Sequence, residues 1–148
     1  MAGKRKAASA PVGKREELLV RVEEAQRQAG CVSEGFIVET AQYLGLTVSE
    51  VYGVTTFYSF LSVEPLGRNV IRVCKSVPCY LKQGEMIIRN VEKVLGILPG
   101  ETTPDGRFSL ELTNCIGACD QAPAMLINDE VHGHLTPGKI AEILRSYK

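Results

Sequence analysis

From Glu16 onward, apolar residues recur at helical spacing. Leu18, Val22, Ala25 and Ala29 follow one another at steps of four, three and four, while Arg21, Glu23, Glu24 and Arg27 take the opposite face. Gly30 is placed to stop this helix. Ser33 can cap a second helix, whose Phe36, Ile37, Thr40, Ala41 and Leu44 form one stripe that ends at Gly45. Thr47-Val48-Ser49-Glu50 fits a capping box and opens a third helical pattern through Val51, Val54, Thr55 and Tyr58. The aromatic run Phe57-Tyr58-Ser59-Phe60-Leu61 is dense enough to be core or interface, and core packing is the expectation. Pro65-Leu66-Gly67 breaks the pattern, so a domain boundary is expected there.

Past Gly67 the period changes. Val70-Ile71-Arg72-Val73 is short and β-branched, a strand that leads into Cys74. A helical pattern returns after Cys79, with Gly84, Ile88, Val91 and Leu95 on one face and Gly96 as the stop. Thr103-Pro104-Asp105-Gly106 reads as a turn. Phe108, Leu110 and Leu112 alternate with Ser109, Glu111 and Thr113, a half-buried strand that runs toward Cys115. Two more strands, Ala124-Met125-Leu126-Ile127 and Val131-His132-Gly133-His134-Leu135, are joined by a turn at Asn128-Asp129. Thr136-Pro137 then starts a last helix with Ile140, Ile143, Leu144 and Tyr147 on its apolar face. The order β-α-β-β-β-α describes an α/β layer on one mixed sheet. The expected organisation is a flexible basic tail over 1–15, a helical unit over 16–66 and an α/β domain over 67–148.

Composition narrows the class. The chain has 148 residues, 45% hydrophobic and 23% charged, typical of a folded globular protein. Lys+Arg and Asp+Glu stand at 17 each, so no overall field recruits nucleic acid or an anionic membrane. No apolar run reaches the roughly 18 residues that cross a bilayer, and Met1 to Lys14 lacks the apolar segment of a secretory signal. The expected compartment is the reducing cytoplasm, with no direct membrane insertion. There, paired cysteines argue for metal or redox chemistry over structural disulfides.

Four of the five cysteines form two pairs, Cys74 with Cys79 and Cys115 with Cys119, each shortly after a strand. Loops at one end of one sheet would bring four sulfurs together. Thiolates select zinc, iron–sulfur clusters or copper(I). Structural zinc favours two-residue gaps, whereas the gaps here are four and three, wide enough for a larger object such as a two-iron cluster. Zinc and thiol chemistry stay open on spacing alone. Gly117 and Ala118 are small enough for backbone N–H groups to approach sulfur, and Lys75 is either solvated or near the site. His132 and His134 read as alternate positions of one strand, and Cys31 as a buried, inert small residue.

The chain resembles the thioredoxin-like [2Fe-2S] small subunit of complex I NADH dehydrogenases and of NAD-linked or electron-bifurcating hydrogenases and formate dehydrogenases. The likeness runs from about residue 16 to 147. It is carried by Glu50-Val51-Tyr52-Gly53-Val54-Thr55-Thr56-Phe57-Tyr58, Val73-Cys74 with Cys79, Gly100-Glu101-Thr102-Thr103-Pro104-Asp105-Gly106-Arg107-Phe108, Asn114-Cys115-Ile116-Gly117-Ala118-Cys119 and Asn128-Asp129-Glu130-Val131. The resemblance implies a thioredoxin-like [2Fe-2S] ferredoxin domain preceded by a small helical domain. It also implies that Cys74, Cys79, Cys115 and Cys119 hold one [2Fe-2S] cluster per chain. The implied partner is a flavoprotein that binds FMN and NAD, alongside further hydrogenase, formate dehydrogenase or complex I subunits. This chain would exchange single electrons and have no substrate site of its own. No phosphate-cradling GxGxxG occurs in it, in keeping with nucleotide binding on the partner. The competing function is a zinc-stabilised interaction module without a redox role.

Overall fold

The computed structural model describes residues 13–147. The basic tail expected over 1–15 therefore falls mostly outside the described residues, and Arg15 already begins a 3-10 turn, Arg15–Glu17. The chain divides into two compact units, Met1–Pro65 and Leu66–Lys148.

In the first unit each helix is bounded by the chemistry its sequence supplies. Helix α1, Leu18–Ala29, ends on Gly30, which takes the left-handed conformation that a side chain would resist. Helix α2, Glu34–Leu44, is capped by the Ser33 side chain, which accepts from the Phe36 N–H, and it ends on left-handed Gly45. Helix α3, Val48–Phe57, opens on a reciprocal capping box between Thr47 and Glu50. The Thr47 N–H and hydroxyl and the Arg15 guanidinium all donate to the Glu50 carboxylate, and with the Thr47 N–H contributing most they hold its pKa below the usual range. Leu18, Val22, Val32, Ile37, Ala41, Leu44 and Val51 form the core of this unit.

The aromatic run departs from the expected core packing. Helix α3 stops at Phe57 and Tyr58 is extended, so the side chains beyond leave the inward stripe that Val51 and Thr55 occupy. Phe57 is 79% exposed, with Tyr58 and Phe60 also on the surface. Cys31 is half-buried, not buried.

The second unit is a four-stranded sheet in the order β2-β1-β3-β4, made of β1 (Asn69–Cys74), β2 (Phe108–Thr113), β3 (Met125–Ile127) and β4 (Glu130–His132). Strands β1 and β2 are parallel, and the crossover between them carries two helices, α4 (Val77–Leu81) and α5 (Gly84–Leu95). Strand β3 runs antiparallel to β1, and β4 to β3 across the Asn128-Asp129 turn. One sheet face presents Ile71, Val73, Phe108, Leu110, Met125 and Ile127 to α5 and to α6 (Pro137–Ser146), whose Ile87, Val91, Ile140 and Leu144 complete the core. Each such side chain contributes about 1.5–3 kcal/mol on burial. The α5 stripe centres on Ile87, with Ile88 half-buried at its edge.

The last strand is shorter than its pattern suggests. Strand β4 stops at His132, and His134 lies beyond it in the left-handed region at φ 50°. The two histidines are thus not alternate residues of one strand. Gly133 sits so close to Gln121 that a Cβ would come within 2.4 Å of that side chain, and the His134 N–H donates to the Gln121 carbonyl at 2.6 Å. That contact bends the chain away from the sheet. The Ala122-Pro123 peptide bond is cis.

Candidate metal centre

The two cysteine pairs meet because their strands are parallel neighbours in register. Cys74 is the last residue of β1 and pairs with Thr113, the last residue of β2. Both strands therefore leave the sheet at the same end, one directly into the Cys74–Cys79 segment and the other, after Asn114, into Cys115–Cys119. The Lys75 N–H donates to the Thr113 carbonyl at 3.0 Å, which ties the two exits together. The Cys74 N–H reaches the Ala124 carbonyl at 3.4 Å, bringing the entry to β3 alongside.

Cys79 is not on a loop. Ser76 stands at the N-cap of α4 and Pro78 lies in its first turn, so the chain coils at once and carries Cys79 on the short helix, 2% exposed. Gln83, left-handed at φ 68°, turns the chain from α4 into α5. Gly84 lies against the Cys79 backbone, where a Cβ would stand 2.8 Å from the Cys79 carbonyl oxygen. Only glycine permits that approach without a shift.

The second pair is built on a tight turn. Gly117 is left-handed at φ 83°, and its N–H donates to the Cys115 Sγ at 3.4 Å. The Cys115 and Cys119 sulfurs are 3.5 Å apart, far beyond the roughly 2.05 Å of a disulfide. All the described cysteines are free thiols, Cys74 and Cys79 buried and Cys115 and Cys119 exposed.

Titration behaviour links the two pairs. Burial on its own raises the Cys74 thiol, but N–H donors from Ser76 and Ile116 and the Cys79 thiol outweigh it, and the pKa falls below the usual thiol value. The Ile116 donor comes from the loop of the other pair. Burial raises Cys79, partly relieved by the Ala124 N–H and reinforced by Cys74 and Cys119. The Cys115 thiol, then burial, then the charges of Cys115, Cys74 and Asp120 raise Cys119. Cys119 thus feels Cys74 and Cys79 feels Cys119. Cys74, Cys79 and Cys119 therefore lie within electrostatic reach of one another, with Cys115 3.5 Å from Cys119.

Such an arrangement suits a group that neutralises thiolates. Four uncompensated thiolates would repel, and a bound metal group both removes their protons and offsets their burial. Among the described residues no group of three or more His, Cys, Asp or Glu closes around a single ion. Four sulfurs on one tetrahedral zinc would all stand about 3.8 Å from one another, given a Zn–S bond of about 2.3 Å. The Cys115–Cys119 separation of 3.5 Å suits two thiolates on one metal ion, and the amide N–H groups aimed at sulfur match the hydrogen bonding that stabilises cluster thiolates.

The other polar side chains of this unit have different occupations. Lys75 is exposed. His132 Nε2 lies 2.9 Å from the Tyr147 hydroxyl, which donates to Glu130 at 2.6 Å. Burial, followed by the Glu130 hydrogen bond and charge, pushes the Tyr147 hydroxyl up to about 12. The sequence pattern misses the helical placement of Cys79, although Ser76-Val77-Pro78 is itself a helix-start signal. It also misses the close approach of Gly84 and the ion pair between the Arg72 Nε and the Glu111 Oε2, 3.0 Å apart, which depend on tertiary neighbours.

Comparison with known proteins agrees with this architecture. The family model for the thioredoxin-like [2Fe-2S] ferredoxin matches residues 4–148. A subunit of NADH-quinone oxidoreductase from Escherichia coli strain K12 is 48% identical over 123 residues, 83% of this chain and 74% of that protein. The like-named subunit from Pseudomonas aeruginosa is 44% identical over 122 residues, 82% of this chain and 74% of that protein. In the crystal structure of an NAD+-reducing [NiFe]-hydrogenase in its H2-reduced state, a region covering 88% of this chain and 22% of the hydrogenase chain has the same fold, with a TM-score of 0.75 at 23% identity.

Proposed function

The chain belongs to the thioredoxin-like [2Fe-2S] ferredoxin family, and from that premise we propose that it is the electron-transfer subunit of an NADH-linked oxidoreductase. Cys74, Cys79, Cys115 and Cys119 are its four cluster ligands. The observation that carries this reading is the meeting of both cysteine pairs at the shared end of the parallel strands β1 and β2. A bound cluster of this kind supplies one-electron chemistry, with a potential set by charge, hydrogen bonds to sulfur and exposure. The chain's own residues set those terms. Cys74 and Cys79 are buried with amide donors from Ser76, Ile116 and Ala124, whereas Cys115 and Cys119 lie at the surface, where an electron can enter or leave.

The chain holds no nucleotide-binding fingerprint, so hydride chemistry belongs to a companion. Hydride donors deliver electrons in pairs, and an FMN- and NAD-binding flavoprotein subunit would divide them and pass one at a time to this chain. The names of the relatives, subunits of NADH-quinone oxidoreductase, support that assembly. The first unit is the proposed partner-binding face. Tyr52, Phe57, Tyr58 and Phe60 are exposed there, more apolar surface than a lone carrier needs. No helix among the described residues is long and apolar enough to cross a membrane.

Rapid mixing of the assembled complex with NADH tests the role. The visible absorption of this cluster is expected to bleach within turnover. A cluster that stays oxidised through many turnovers would refute the role while leaving the cluster itself intact. Replacement of Phe57 and Phe60 by Ser should weaken co-purification with the flavoprotein at least tenfold, about 1.4 kcal/mol, with no change in the visible spectrum.

A further inference from the structure

One charged pair in the second unit lies one step back from Cys74 along the same sheet face. Side chains alternate across a strand, so Arg72 shares a sheet face with Cys74, and Glu111 shares it with Thr113. The register pairs Arg72 with Glu111 and, one step up the same face, Cys74 with Thr113. The Arg72 Nε and the Glu111 Oε2 are 3.0 Å apart, with side chains 9% and 23% exposed. This is the face opposite the apolar core of Ile71, Val73, Leu110 and Leu112. The pairs Arg15–Glu50, Arg27–Glu24 and Arg89–Glu85 join exposed side chains, and His132–Glu130 depends on the protonation of His132.

A buried ion pair of this kind is not explained by stability. Its desolvation offsets most of its attraction, and an apolar pair of similar volume usually serves as well. What it does supply is a fixed charge distribution in a poorly screened place. Two residues along a strand span about 7 Å, within the distance over which an uncompensated charge acts strongly on another inside a protein.

We infer that Arg72 and Glu111 are positioning residues for the redox potential of the bound cluster, a guanidinium and carboxylate held together one step back from Cys74 so that neither charge acts on the cluster unopposed. The inference rests on the cluster reading above. An electron added to the cluster is one more negative charge beside Cys74. An unopposed Arg72 stabilises that charge and raises the potential. An unopposed Glu111 does the reverse. The pair together fixes an intermediate value that the exposed Lys75, screened by water, does not control.

The test is a potentiometric titration of the cluster-loaded full chain, followed by visible absorption and electron paramagnetic resonance. Glu111→Gln is expected to move the midpoint upward and Arg72→Gln downward, while the charge-conserving double variant Arg72→Lys with Glu111→Asp stays at the wild-type value. Shifts of opposite sign are the signature, because a purely structural role would move both variants the same way or not at all. If one single variant fails to hold its cluster, the other reads the same claim. A midpoint equal to wild type in a variant that retains its cluster, shifts of the same sign, or loss of the cluster in both single variants would assign the pair a structural role and overturn the inference. Wild-type protein with no cluster spectrum would instead overturn the cluster reading itself.

Discussion

Gly84 and Cys79 show how much of the site is set by single contacts. Because a Cβ at residue 84 would enter the Cys79 carbonyl, Gly84→Ala should cost about 1–3 kcal/mol of stability and lower cluster occupancy, measured by thermal melting and the visible-to-ultraviolet absorbance ratio. Cys79→Ala should abolish the visible absorption and leave a folded second unit, seen as retained far-ultraviolet circular dichroism. Tyr147 offers a test by pH. Its folded-state pKa, about 12, lies above the ordinary tyrosine value of about 10. The neutral form is therefore favoured by folding, and that stability is fully present below pH of about 10 and is lost as pH rises through about 12. Tyr147→Phe should flatten the fall in stability across that window, as followed by denaturant titration at stepped pH. At this scale the cysteines are legible from type and spacing. The partners of Tyr147 and Arg72 are not, because strand register and helix docking decide them.

Among the elements, the caps carry their information locally and are the easiest to read. Thr47 and Glu50 satisfy each other's backbone N–H groups, and Thr47→Ala should destabilise the first unit by about 1 kcal/mol, measured by denaturant unfolding. Glycines 30, 45 and 96 end helices where the sequence says they should. The strands β1 and β2 and the hairpin turn at Asn128-Asp129 follow from alternation and turn chemistry. The misreadings have a common origin. Val77–Leu81 is too short for a period to declare itself, so the pattern reads helix α4 as a loop. His134 lies past the end of β4 because Gly133 packs on Gln121, a contact between residues distant in sequence. Phe57, the last residue of α3, lies off the helix face that Val51 and Thr55 bury, and the chain is extended at Tyr58. Phe57, Tyr58 and Phe60 are therefore exposed, while Leu61 packs against the core. Composition alone cannot distinguish a core aromatic from one kept for a partner.

For the molecule as a whole, two units divide the labour in the proposed account. The helical unit presents exposed aromatics. The α/β unit brings both cysteine pairs to one end of its sheet, where the parallel neighbours β1 and β2 stop in register. The family fixes the cofactor class, and the proposed ligands are the two cysteine pairs, with gaps of four and three residues, that follow the parallel strands β1 and β2. Metal analysis of the purified chain is the most direct test. The account predicts a red-brown protein with about two iron and two acid-labile sulfide per chain, bleached by dithionite with one paramagnetic signal. A colourless protein with about one zinc per chain would contradict it.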